Sequence, residues 1–186
     1  MGSSGRRRHN SKAAVDSDLA KARAGDMVAF EALVIGHQKS VFGLALRILG
    51  TADAAEDIAQ DVFMQLHAKL TSIETAEHLR FWLRRVTANR AIDQLRRSAL
   101  LKITSLDDEA QQIGSEDPAD PLLQRRLRSL LLQLNPAARA VVTLRYQEDL
   151  DPTEIAQVLE MPINTVKSHL KRSLELMREG IKDHAQ

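Results

Sequence analysis

The sequence contains no cysteine. That excludes a disulfide framework and any thiolate zinc site. Aromatic residues make up only 3% of the chain: one Trp, one Tyr and four Phe. A core built from Leu, Ala, Ile and Val with so few rings suits helices better than sheets. Five Pro and eight Gly in 186 residues leave few sharp turns. No apolar run approaches the roughly 18 residues of a membrane span, and the N-terminus has no signal-peptide apolar region. A soluble cytosolic protein is the expectation. No nucleophile–base pair, phosphate loop or metal-ligand spacing appears. No enzyme activity, cofactor, metal or small-molecule substrate is therefore expected. Charge of one sign is also lacking. With 26 Lys+Arg against 25 Asp+Glu the net charge is +1, so only the distribution of charge can speak about partners.

What is present is helical periodicity. The opening residues 1–15, beginning "MGSSGRRRHNSK", read as a disordered tail or tag. A short helix is expected from about Asp16 to Ala24, ended by Gly25. Asp26 caps a longer helix whose apolar positions Phe30, Leu33, Val34, Val41, Leu44, Ala45 and Ile48 recur at helical spacing, and Gly50 stops it. In "TADAAEDIAQDVFMQLHAKL" Asp53 and Glu56 read as a capping box. Ile58, Val62, Leu66 and Leu70 form its apolar stripe, with Phe63 beside it. Asp57, Gln60, Asp61 and Met64 face outward. Glu56, Asp57 and Asp61 are a solvated acidic face, since no His sits at ligand spacing.

After the polar break "TSIETAEH", Thr75 is the expected N-cap of "AEHLRFWLRRVTANRAIDQLRR". Leu79, Trp82, Leu83, Val86, Ile92 and Leu95 mark its buried side. Arg80, Arg84, Arg85, Arg90, Arg96 and Arg97 make it the most basic segment of the chain. Trp82 admits two roles, a core residue or a platform for an unpaired base. Asn89 likewise is either an exposed helix residue or a donor to a base edge.

Residues 98–120 carry Asp107, Asp108, Glu109, Glu116, Asp117 and Asp120 against a single Lys102, and periodicity fades. This is the composition of a flexible acidic linker. Helices follow through "LLQRRLRSLLLQL" and, opened by Asn135-Pro136, through "ARAVVTLRYQ". The expected architecture is all-α: two small helical domains, over 16–97 and 121–182, joined by that linker.

The C-terminal part holds "DLDPTEIAQVLEMPINTVKSHLKRSLELM". Asp151, Pro152 and Glu154 combine an N-cap, a proline at the first helical position and an acid at the third. The break "EMP" is short, so the two helices it joins cross steeply. Ile163, Val166, Leu170, Leu174 and Met177 step by three, four, four and three, which holds one side inward. Asn164, Thr165, Lys167, Ser168, Lys171 and Arg172 are thereby turned to solvent. Short polar residues at a helix start, flanked by cations, suit a helix laid end-first into a major groove. The geometry is that of a helix-turn-helix.

These segments resemble the extracytoplasmic-function (ECF) sigma factors of bacterial RNA polymerase. "INTVKSHLKRSLELMRE" resembles their carboxy-terminal DNA-binding helix, and "LNPAARAVVTLRYQEDLDPTEIAQVLEMP" the helices before it. "AEDIAQDVFMQLH" resembles the polymerase-binding helix, with Asp57, Gln60 and Phe63 in the D-x-x-Q-x-x-F pattern. "FWLRRVTANRAIDQLRR" resembles the promoter-melting helix, with Trp82-Leu83, Asn89 and Asp93 in place. The four motifs stand in the family's order from about Asp26 to Glu179.

The resemblance implies sigma region 2 in the first domain and region 4 in the second. It implies an alternative sigma factor that binds core RNA polymerase, directs it to promoter DNA and helps melt the −10 region. Ile73, Glu74 and Thr75 would receive a flipped −10 base, Asn89 a base edge, and Arg84, Arg85 and Arg96 phosphates. Asp57, Gln60, Asp61 and Met64 would meet the polymerase. Asn164, Thr165, Lys167, Ser168, His169, Lys171 and Arg172 would meet the −35 element. His169 stands where the family's T-V-K-S-R pattern has Arg, and a neutral imidazole holds phosphate more weakly. An anti-sigma factor, often membrane-bound in the family, is an implied partner of a cytoplasmic bacterial protein. The alternative is a stand-alone helix-turn-helix transcription regulator, which would retard its operator without polymerase.

Overall fold

A computed structural model describes residues 3–102 and 121–182, all in helices and the turns between them. The order is α1 (Ser3–Arg23), α2 (Met27–Leu49), α3 (Ala52–Lys69), a 3-10 turn (Leu70–Ser72), α4 (Ala76–Lys102), α5 (Pro121–Gln133), α6 (Pro136–Gln147), α7 (Pro152–Leu159) and α8 (Ile163–Lys182).

Several boundaries have a local cause. Asp26 accepts from the amides of Val28 at 2.9 Å and Ala29 at 3.1 Å, closing the start of α2. Gly50 ends it in the left-handed region at φ 91°, its amide donating to Leu46 O. Thr75 Oγ1 accepts from His78 N at 3.1 Å, as expected for the start of α4, and Asp16 of α1 accepts from Ala76 N at 2.6 Å. The Asp16 carboxylate thus ties α1 to the positive end of α4. Asn135 accepts from Ala138 N at 2.9 Å ahead of Pro136.

Three expectations need correction. Residues 3–15, read as part of a disordered tail, are helical: α1 starts at Ser3. Lys12 pairs with Glu77 at 2.7 Å and Val15 packs on the core, and extending a helix already nucleated is cheap. Asp53 and Glu56 form no capping box, because the N-cap position falls on Thr51 and Asp53 lies in the first turn. Helix α4 runs to Lys102, past the expected start of the linker at 98; residues 103–120, with the acids of that segment, lie outside the described residues.

Helix α2 is the centre of the first part. Contrary to the sequence reading that no apolar run approaches a membrane span, it is long and apolar enough by composition to cross a membrane. Here it is a core helix, with Leu33, Val41, Leu44, Ala45, Ile48 and Leu49 buried against α1, α3 and α4. The buried cluster around it does not stop at the linker. Ala140, Val141 and Leu144 of α6, Ile155, Val158 and Leu159 of α7, and Val166 of α8 belong to the same cluster. A smaller one under α8 joins Leu134, Ala138 and Val142, with Leu131, Leu176 and Met177 against it.

Arg139 pins the two parts together. It is only 7% exposed, and among the described residues it pairs with no carboxylate. Its guanidinium donates to the carbonyls of Leu131 (3.0 Å), Leu132 and Leu134 (3.2 Å), closing the end of α5, and to Ile48 O of α2 at 2.7 Å. Burial pushes its pKa down. A planar fork of five donors can serve several diverging carbonyls at once, which an ammonium cannot. Arg128 adds a bond to Gly50 O at 2.9 Å, and a Cβ at Gly50 would stand 2.8 Å from Leu132 Cδ2.

Candidate nucleic-acid and polymerase interfaces

Asp151 opens α7 with a complete capping box. It accepts from Thr153 N at 2.7 Å and Glu154 N at 2.9 Å, while Glu154 accepts from Asp151 N at 2.7 Å. The helix ends on Glu160 at φ 52°, an uncommon conformation for a side chain with a Cβ. Met161 N donates back to Ala156 O at 3.1 Å, and Pro162 O accepts from Thr165 N and Val166 N to start α8. The turn places Val166 fully inside and leaves Asn164, Thr165, Lys167, Ser168, Lys171 and Arg172 exposed. His169 is half-buried between the two sides. Burial, and then the positive charge of Arg172, hold its pKa below the usual imidazole value.

On α4 the cations divide. Arg80, Arg96 and Arg97 are exposed, and Arg96 leans toward Asp93 at 3.8 Å. Arg84 Nε donates to Glu148 Oε2 at 2.9 Å, and Arg85 pairs with Glu160. Both acids come from the second part of the chain. Arg90 reaches Asp61 of α3 at 3.4 Å. Asn89 is half-exposed between these groups. Beside Arg80 and Arg84, a crevice of about 350 Å³ between α1, α2 and α4 is also lined by Asp18, His37 and Thr87.

On α3 the residues Asp57, Gln60, Asp61 and Met64 are exposed as expected, Met64 at 66%. Gln60 and Met64 border an apolar hollow of about 530 Å³ completed by Phe30, Val34, Phe63 and His67. The Phe30 and His67 rings meet edge-on, centroids 5.0 Å apart. Phe30 and Val34, two of the apolar positions at helical spacing in α2, are half-buried and line this hollow, Phe30 also packing on the core.

Residues 33–100 match the family described as Sigma-70 region 2, and residues 124–177 match Sigma-70, region 4. RNA polymerase sigma factor SigV of Bacillus subtilis is 30% identical over 145 residues, 78% of this chain and 86% of that protein. The ECF RNA polymerase sigma factor SigW of the same organism is 27% identical, over 89% of this chain and 95% of its own. This chain belongs to the ECF sigma factors. Among solved structures, the sigma factor RpoE of Bartonella quintana, crystallised with the anti-sigma factor NepR, superposes with a TM-score of 0.70. It covers 82% of this chain and 96% of its own at 22% identity. CnrH, in complex with the cytosolic domain of CnrY, gives a TM-score of 0.64 at 22% identity, over 91% of this chain and 98% of its own. Those two likenesses support the fold.

For this sigma factor, the residues of the loop before α4 separate. Glu74 and Thr75 are exposed, but Thr75 Oγ1 already caps α4. Ile73 is completely buried and belongs to the core cluster. At the end of the 3-10 turn it points inward and presents no surface to a base; this corrects the sequence expectation. Trp82 is half-buried and packs on the same cluster, which is the core role of the two left open. Arg139 was missed as well. Its one sequence signal is a lone cation in the inward-facing run "NPAARAVVTL".

Proposed function

We propose how this ECF sigma factor divides the task of directing RNA polymerase to promoters. The second domain, over 121–182, reads the −35 element through α8: Asn164, Thr165 and Ser168 face base edges, and Lys167, Lys171 and Arg172 neutralise phosphates. The first domain, over 16–97, uses Glu74, Thr75 and Asn89 with Arg84, Arg85 and Arg96 on the melted −10 strand. Opening costs a few kcal/mol per extruded base, which these contacts return. Asp57, Gln60, Asp61 and Met64 meet core polymerase, and the hollow of Phe30, Val34 and His67 receives an apolar side chain from it. The protein works in the cytoplasm, catalyses no bond change, and is held inactive by an anti-sigma factor. RpoE of Bartonella quintana, crystallised with the anti-sigma factor NepR, supports that last element.

The observation that carries this reading is the sidedness of α8. Its base-reading and phosphate-neutralising residues are exposed together, while Val166 and Ser173 are buried opposite. The test is transcription by core polymerase lacking other sigma factors, with run-off start sites mapped on genomic templates. Addition of this chain creates specific starts, and Lys171→Ala with Arg172→Ala abolishes those that depend on a −35 sequence. Retardation of a promoter by the chain alone, with no effect on polymerase, would establish the stand-alone regulator instead.

A further inference from the structure

The crevice between α1, α2 and α4 has a volume of about 350 Å³, within the range of small-ligand sites. Its apolar lining includes Leu33, Leu44 and Leu83, all buried. Several of its polar groups lack partners. Thr87 is fully buried, and its hydroxyl has no hydrogen-bond partner, not even the carbonyl one turn back that a helical Thr can use. A buried hydroxyl left unpaired is a cost that a bound polar group would remove. Asp18 is half-buried and Arg80 is exposed, and among the described residues neither forms an ion pair, with the other or elsewhere. His37 Nδ1 donates to Leu33 O at 2.8 Å, which leaves Nε2 as an acceptor whenever the ring is neutral. Gly36 completes the wall on α2. Glycine in the middle of a helix weakens it, yet a Cβ there would meet no atom within 4 Å. No neighbour in the chain requires the glycine; its effect is to keep the crevice open.

We propose that this crevice binds a small zwitterion of the amino-acid class. Asp18 and His37 accept from its ammonium group, Arg80 donates to its carboxylate, and the Thr87 hydroxyl serves either. The buried leucines take its apolar side chain. A simple anion would leave Asp18 unpaired and be repelled by it, and a simple cation would do the same at Arg80. Two opposite charges that line one crevice without meeting leave room for a molecule that carries both. The partners come from three helices, Asp18 from α1, His37 from α2, and Arg80 and Thr87 from α4. No local stretch of sequence contains them together. None of these four residues is assigned to DNA or polymerase, so the site stands apart from promoter recognition.

The test is calorimetric titration of the full chain with L-leucine and with its two half-molecules: 4-methylpentanoate, which lacks the amine, and 3-methylbutylamine, which lacks the carboxylate. L-Leucine should bind at least about tenfold more tightly than either, the size of one lost charge-assisted hydrogen bond. Arg80→Gln should bring L-leucine down to the affinity of the amine while leaving the amine unchanged. Asp18→Asn should bring it down to the affinity of 4-methylpentanoate. A merely structural role would not divide the half-molecules in this way. Thr87→Val, which keeps the shape of the side chain, should weaken L-leucine about three- to tenfold without lowering the melting temperature of the free chain. Gly36→Ala should raise that melting temperature and still weaken L-leucine, because the added methyl favours the helix and narrows the crevice. No binding of L-leucine, L-methionine or L-phenylalanine would overturn the proposal. A half-molecule bound as tightly as L-leucine would overturn it too, since the site would then take a simple anion or amine. Unchanged L-leucine affinity in Arg80→Gln would place the ligand elsewhere on the chain. Each of these failures would leave promoter-directed transcription as it is.

Discussion

Helices α4 and α8 are both cation-rich and both assigned to promoter DNA, yet they are presented differently. On α8 the residues turned to solvent are Asn164, Thr165, Lys167, Ser168, Lys171 and Arg172, and among the described residues none is hydrogen-bonded or ion-paired through its side chain. On α4 four of the arginines reach carboxylates, three of which lie outside α4: Asp61 in α3, and Glu148 and Glu160 at the C-caps of α6 and α7. A helix whose cations are free is ready to meet duplex DNA on encounter. A helix whose cations are engaged must exchange partners first. The difference suits an order of events in which duplex recognition precedes strand capture.

The largest disturbance of this comparison should come from Arg139, which serves neither face and positions both. Arg139→Ala removes the donor for four carbonyls at the junction of α2 and α5 and leaves a cavity. A loss of about 2–4 kcal/mol in urea unfolding is expected, with Arg139→Lys restoring only part of it. A variant as stable as the parent would show that water replaces the guanidinium without cost. Gly50→Ala should come next, at about 1–2 kcal/mol. It places a side chain at φ 91° and forces Leu132 away.

Smaller effects sharpen the contrast in salt. Lys171→Ala with Arg172→Ala should lower the slope of log affinity against log salt for a −35 duplex by about two, one for each lost phosphate contact. The same salt titration on the parent's single-strand binding should be shallower at first, because rising ionic strength also weakens the competing, solvent-exposed Arg85–Glu160 pair. Equal slopes for the two ligands would remove the distinction between free and engaged cations. Asp61→Ala should weaken association with core polymerase while changing unfolding by less than about 0.5 kcal/mol, since its pair with Arg90 is exposed.

What the sequence revealed of all this follows the range of each interaction. Caps at Asp26, Gly50, Asn135 and Asp151 bond within a few residues of themselves, and local spacing is enough to find them. The sidedness of α8 is legible for the same reason, since helical period alone assigns inside and outside. Asp53 misleads because α3 begins one residue before it, with Thr51 at the N-cap position making no side-chain cap bond, so a carboxylate near a helix start does not by itself fix the boundary. Ile73 misleads in the other direction. A lone apolar residue in a polar loop has no period, and only its place in the assembled core explains its burial. The pairs that close the chain, Arg84 with Glu148 and Arg139 with Ile48, lie 64 and 91 residues apart. No local pattern contains them.

The finest probe of the α8 surface is His169. Its pKa is lowered first by burial and then by Arg172, so near pH 7 it is neutral and adds no charge toward phosphate. DNA brings negative charge to that spot and favours the protonated ring. Binding should therefore take up a proton, and affinity for a −35 duplex should rise as the pH falls from about 7.5 to about 6, by roughly twofold to threefold for one partly screened contact. Stability moves the opposite way. The unfolded chain, with the higher imidazole pKa, binds protons first, so this group's contribution to folding is present above the unfolded value and is lost as pH falls below it. His169→Gln should flatten both dependences, and His169→Arg should give the tighter binding at every pH. If His169→Gln left the pH dependence of binding intact, the imidazole would lie beyond reach of the phosphate. The groove contacts would then end at the exposed residues on either side of it.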